Sequence, residues 1–120
     1  MKTININTLT IDQMWDLIKK AKWNGDYKRV KSFFGENLNV SQFKQLEEFV
    51  REKQNDLHER FEDDWLGNPG IQVTDDGWDD LTAEVVGRGK KFYDEITVKK
   101  LQEMAKRCDY HENFLYSFQD

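Results

Sequence analysis

Seven carboxylates stand on either side of one short loop: Glu62, Asp63 and Asp64 before Gly67-Asn68-Pro69-Gly70, and Asp75, Asp76, Asp79 and Asp80 after it. Acids gathered by two helix ends could hold a hard cation or work as a general acid and base. The spacing departs from the calcium-loop pattern, whose ligands alternate before the glycine, because Asp75 and Asp76 are adjacent. Helix physics alone accounts for much of the set. Asp75 and Asp76 suit a cap and first turn, where the dipole favours negative charge, and Asp79 and Asp80 suit the solvated side of the same helix. A third use joins Trp65 and Trp78 to the acids as the aromatic edge of a partner-binding patch.

Gly87-Arg88-Gly89 followed by Lys90 and Lys91 invites a phosphate-binding reading. It lacks the Gly-Lys-Ser/Thr end and the preceding strand of a P-loop, and a glycine kink between closely packed helices explains it more simply. His58 and His111 are the only histidines, hence the candidate neutral-pH bases. Cys108 and His111, three residues apart, would meet on one helical face as a nucleophile and base, although such spacing arises readily by chance. From Lys19 to Lys31, Trp23 and Tyr27 interleave with cations, a composition suited to nucleic-acid stacking, but a pI near 5.1 opposes binding of a polyanion. Trp15 and Trp23 read more simply as core and helix-end anchors.

Four motifs occur in order: Trp15-Asp16-Leu17-Ile18, Thr74-Asp75-Asp76-Gly77-Trp78, Gly87-x-Gly89 with Lys90-Lys91-Phe92-Tyr93, and Glu112-Asn113-Phe114-Leu115-Tyr116. Together they resemble a small bacterial family designated only as a domain of unknown function, whose members read Trp-x-Leu-Ile, Ser/Thr-Asp-Asp-Gly-Phe/Trp and Gly-x-Gly with an aromatic. Thr82-Ala83-Glu84 depart from it, standing where similar sequences carry an aromatic Arg-Ala-Trp stretch. The resemblance implies a bacterial source and a shared fold, and it implies no activity.

At 120 residues the chain is expected to form one domain, residues 1–120, with aromatics at 13% to supply a core despite a mean hydropathy of −0.88. No apolar run approaches a membrane span, and Met1 to Ile6 lacks the apolar centre of a signal peptide, so a cytoplasmic location is expected. One cysteine makes no internal disulfide, and with two histidines it leaves too few ligands for a Cys/His zinc site. Charge is segregated: Asn55 to Glu84 holds ten carboxylates against Arg60 alone, so this stretch carries −9 of a total of −5 and the remainder carries +4. The cations concentrate from Lys19 to Lys31 and from Arg88 to Arg107. Such a layout favours either oriented docking of a charged partner or complementarity between neighbouring helices.

The positioning elements follow from caps and periodicity. Thr10 with Gln13 forms a capping box that opens a helix to about Trp23, stopped by Asn24-Gly25. A second runs from about Tyr27 to about Phe34, and Ser41 is expected to cap a long amphipathic third, reaching about Leu66 and interrupted at Lys53 and Gln54. Thr74 or Asp75 starts a helix with Trp78, Leu81, Val85 and Val86 inward; short helices from Lys90 to Ile96 and from Thr97 to about Cys108 follow. A terminal segment carries Tyr110, Phe114, Leu115 and Phe118. The expectation is an all-α domain, an irregular bundle of about six or seven helices.

The functional expectation is a non-enzymatic protein-binding module with no cofactor, no bound metal and no catalytic residue. Its sharpest form is an immunity or antitoxin-type inhibitor, whose face of Glu62, Asp63, Asp64, Trp65, Asp75, Asp76, Trp78, Asp79 and Asp80 covers the basic cleft of a toxin such as a nuclease. One alternative is a carboxylate-based metal-binding or hydrolytic domain using His58 or His111. Another is a regulatory or scaffold protein that self-associates through Phe114, Tyr116 and Phe118.

Overall fold

Side-chain caps delimit most of the helices in the computed structural model, which describes residues 8–119. Six α-helices run in order: α1 (Ile11–Ala21), α2 (Tyr27–Asn37), α3 (Val40–Leu66), α4 (Asp75–Gly87), α5 (Lys90–Glu95) and α6 (Val98–Arg107). A 3-10 helix, Phe114–Phe118, follows, and no strand forms among the described residues. The expected all-α bundle is therefore observed.

Thr10 and Gln13 make the capping box of α1, with the Thr10 hydroxyl accepting from the Gln13 N–H at 3.1 Å. The helix ends at Ala21, two residues before the expected Trp23, because Lys22 turns left-handed at φ 51°. Arg29, in α2, donates from Nη2 to the Ala21 and Lys22 carbonyls at 2.9 and 2.8 Å and so closes that end. Asn39, instead of the expected Ser41, caps α3 in a reciprocal box with Gln42. Val40 at its first position is 89% exposed, so the apolar period that marks the helix begins only later, at Phe43.

The 27 residues of α3 span about 40 Å and serve as the spine. One continuous hydrophobic cluster forms along it, including Ile18 from α1, Phe34 from α2, Leu81 from α4 and Leu101 from α6. The 3-10 helix closes that cluster. Phe114 is fully buried and Phe118 6% exposed, with Phe118 stacked on Phe34 at 5.3 Å and 16° between ring planes. Phe114 and Phe118 are thus core, which corrects the expectation that they offer a self-association surface; of that trio only Tyr116 is exposed.

Candidate functional site: an acidic face on the α3–α4 seam

Polar groups, unusual for a helix interface, fix how α4 lies on α3. Gln54, where the apolar stripe of α3 lapses, is 7% exposed and donates from Nε2 to the Asp79 carbonyl at 2.9 Å and to Thr82 Oγ1 at 3.2 Å. The Thr82 hydroxyl donates back along its own helix to the Trp78 carbonyl at 2.9 Å. Having spent its one proton there, it accepts from His58 Nε2 at 2.9 Å, which assigns the proton of neutral His58 to Nε2. Among the described residues no fully buried side-chain nitrogen or oxygen of the seam lacks a partner, and these bonds set the rotation of α4.

That rotation turns Trp78 inward. Its ring lies between His58, at 5.5 Å, and Trp65, at 5.4 Å, with interplanar angles of 19° and 9°. Trp65 is half-buried and ties the linker to the helix end through Nε1–H to the Val73 carbonyl at 3.1 Å. Trp78 is only 3% exposed, so the expectation of an exposed aromatic anchor fails for this residue. It supports the face from behind, and Leu66, the last residue of α3 and 67% exposed, is the apolar group presented beside the acids.

Thr74 caps α4, accepting from the Gly77 N–H at 3.1 Å, and Asp75 and Asp76 occupy the first turn as expected. Asp75, Asp76 and Asp79 are exposed, as are Glu62 and Asp63 on α3; Asp64 and Asp80 are half-buried. Burial pushes the Asp80 carboxyl up, the Asn113 backbone amide opposes it, and Glu112, Asp76 and Asp79 push it further up. Glu112, from the segment after α6, therefore belongs to the face although its position in the sequence gives no sign of it. At the other side His58 is held below its ordinary value by burial, against the pull of Asp79 and Glu62. Its Nε2 lies 3.5 Å from Asp79 Oδ1.

The cations go elsewhere. Lys20 pairs with Asp16 at 2.9 Å, Arg51 with Glu47 at 2.9 Å, Arg60 with Asp56 at 3.4 Å and Lys90 with Asp94 at 2.6 Å, each one turn away on its own helix. Among the described residues no lysine or arginine nitrogen comes within 4.0 Å of a carboxylate of Glu62, Asp63, Asp64, Asp75, Asp76, Asp79 or Asp80. Nor do any three of the described His, Cys, Asp and Glu residues come together closely enough to hold a metal ion.

The remaining chemistry-bearing motifs have structural uses. Gly87 lets α4 approach Trp23 and Phe114; an added Cβ would stand 2.9 Å from Trp23 Cδ1 and 3.1 Å from Phe114 Cγ. Arg88 between the glycines is spent on Glu84, Nε to Oε2 at 2.8 Å, and on Asp109, while Lys90 is held by Asp94. The groove there, about 640 Å³, brings Asp12, Asp16, Asp94 and Glu95 alongside its cations, a poor reception for phosphate. Cys108 and His111 do not share a helical face, because α6 ends at Arg107 and Cys108 turns left-handed at φ 52°. His111 instead faces Glu84.

Among the described residues Glu84 is the one buried carboxylate, 2% exposed. Its Oε1 accepts from Trp23 Nε1 at 2.9 Å and from the His111 backbone N–H and Nδ1, each at 3.0 Å, and its Oε2 accepts from Arg88. Burial opposes its charge, but Arg88 and the His111 and Trp23 donors outweigh burial and hold the carboxyl below its ordinary value. Arg88 Nη2 also grips the Asp109 carbonyl and carboxylate at 2.9 and 3.1 Å. This network ties the segment after α6 to α4 and so brings Glu112 to the acidic face. No helix among the described residues is long and apolar enough to cross a membrane. Comparison with protein-family models, with curated proteins and with solved structures finds no match to the chain.

Proposed function

We propose that this protein is a non-enzymatic binding module that docks its acidic α3–α4 face onto a basic protein surface. The sharpest form is an immunity or antitoxin-type inhibitor that occludes the basic active-site cleft of a partner such as a nuclease. The observation that carries the reading is the unneutralised state of the face: seven carboxylates without a lysine or arginine partner among the described residues, although α1, α5 and the earlier turns of α3 itself hold intrahelical ion pairs. Like charges held together cost stability, and after burial, the main cause, Glu112, Asp76 and Asp79 add to the raised value of Asp80. A basic partner would relieve that repulsion, speed encounter and fix orientation. Leu66 and the exposed part of Trp65 add apolar contact at the rim.

The test is capture of partners by the tagged chain from its host, beside a variant with Asp75, Asp76, Asp79 and Asp80 all changed to Lys. A stoichiometric partner retained by the parent and lost by the variant is expected. Equal retention by both, with the variant folded, would sink the proposal.

A further inference from the structure

A second surface, sharing no residue with the acidic face, has the opposite character. Tyr27, Lys28 and Lys31 from α2 line an open groove of about 400 Å³ with Tyr116 and Gln119 from the 3-10 helix and its cap. The two tyrosine rings meet edge to face at 5.7 Å and 75°, and Tyr116 is 37% exposed. Among the described residues no carboxylate lines this groove, although acids outnumber cations by five in the chain. Among the described residues neither Lys28 nor Lys31 has a carboxylate within 4.0 Å, and neither tyrosine hydroxyl has a hydrogen-bond partner. Of the other cations of this basic stretch, Arg29 caps α1 and Lys20 pairs with Asp16.

The walls are held rigidly. Asp26 caps α2 by accepting from the Arg29 N–H at 3.1 Å, and Asn113 caps the 3-10 helix by accepting from the Leu115 N–H at 2.9 Å. Phe34, on α2, packs on Phe118 and Phe114 and locks the two elements together behind the groove. A site whose donors and rings are fixed before binding loses little entropy on occupation. Two ammonium groups and two phenol O–H donors suit a doubly charged oxyanion, and the exposed Tyr116 ring beside half-buried Tyr27 suits a flat partner.

We propose that this groove binds a small planar ring bearing a phosphate, the chemistry of an aryl phosphate or a mononucleotide. The same chemistry could come from a free nucleotide or from the end of a single strand. Long-range repulsion by the net charge of −5 favours the free molecule.

The experiment follows backbone amide signals of the full chain while phenyl phosphate or adenosine monophosphate is added, beside inorganic phosphate and adenosine alone. Shifts confined to Tyr27–Lys31 and Tyr116–Gln119 are expected, with the ring-phosphate compounds binding about tenfold tighter than either half. Lys28→Gln, at an exposed position, should weaken binding by about tenfold with the melting temperature unchanged, and Tyr116→Ala should remove the preference for a ring. A short oligoadenylate that binds these residues more tightly than adenosine monophosphate would identify a strand end as the source; weaker binding identifies the free nucleotide. Absence of shifts at millimolar ligand, shifts centred elsewhere, or inorganic phosphate binding as tightly as phenyl phosphate would each overturn the proposal.

Discussion

Glu84 holds His111 twice through a single oxygen: Oε1 accepts from the His111 backbone N–H and from its ring Nδ1, each at 3.0 Å. The ring contact assigns the neutral His111 proton to Nδ1, because an ionised carboxylate only accepts. The same oxygen takes Trp23 Nε1–H, so α4, the α1–α2 connection and the segment after α6 meet at one atom.

Replacing Glu84 with Gln keeps the shape but presents an NH₂ to one or more of the existing donors. A loss of about 1–3 kcal/mol is expected, measured by urea unfolding at neutral pH. The Glu84 carboxyl sits lower in the folded than in the unfolded chain, so its contribution is complete above its ordinary value of 4.5 and disappears as the pH falls through the lower folded value. The variant should therefore show a flatter acid decline than the parent. Parallel pH–stability curves would show that Glu84 is not an ionised acceptor.

Asp80 works in the opposite sense. Its folded value is raised above 3.8, so it favours folding below that pH and loses the benefit as the pH rises through its folded value. Asp80→Asn is expected to raise the melting temperature at neutral pH by a few degrees or less, an advantage that vanishes in strong acid. A lower melting temperature at neutral pH would contradict the repulsion among Asp76, Asp79, Asp80 and Glu112.

His58 should titrate below 6.5 by NMR. Since folding lowers its value, stability from neutral His58 is present above 6.5 and falls as acid charges it in the folded chain. Glu62→Gln and Asp79→Asn each remove a charge that favours the protonated ring, so each should move its titration lower still. A shift upward in either variant would contradict the arrangement.

Gly25 has φ +89°, and a Cβ there would collide with His111 Cδ2. Gly25→Ala is expected to cost about 1–3 kcal/mol from backbone strain and displacement of the imidazole. Unchanged stability, read in the same urea experiment, would show that this junction yields freely.

Binding at the acidic face should depend steeply on salt. Screening shortens from about 10 Å at 0.1 M to about 3 Å at 1 M, so the association rate for the captured partner should fall by at least tenfold across that range while dissociation changes little. A salt-independent association rate would place the contact elsewhere.

Caps and apolar periods make most of the helices legible in the sequence. Thr10, Thr74 and Thr97 all accept the backbone bonds their positions suggest, and the inward row Trp78, Leu81, Val85 and Val86 is buried. The start of α3 is less legible because exposed Val40 separates the Asn39 cap from the first inward residue. In the site, the acids of α4 are legible as a first turn and solvated side, but two features are not. Glu84 counts as one more acid in an acidic stretch, yet it lies among Leu81, Val85 and Val86; a charge inside that apolar run, one turn before Arg88, is the signal that marks it. Glu112 joins Asp80 only through the left-handed turn at Cys108 and the clasp on Glu84, long-range geometry that local spacing does not encode.

The late position of Phe114 and Phe118 has a consequence for synthesis. As the chain leaves the ribosome, α2, α3 and α4 emerge before the aromatics that fill the space between them. Until those residues arrive, Phe34 and Trp23 lack the rings that pack on them in the finished fold, and apolar surface is left open to other contacts. The order of synthesis thus makes these helices before the aromatic residues that close their interior.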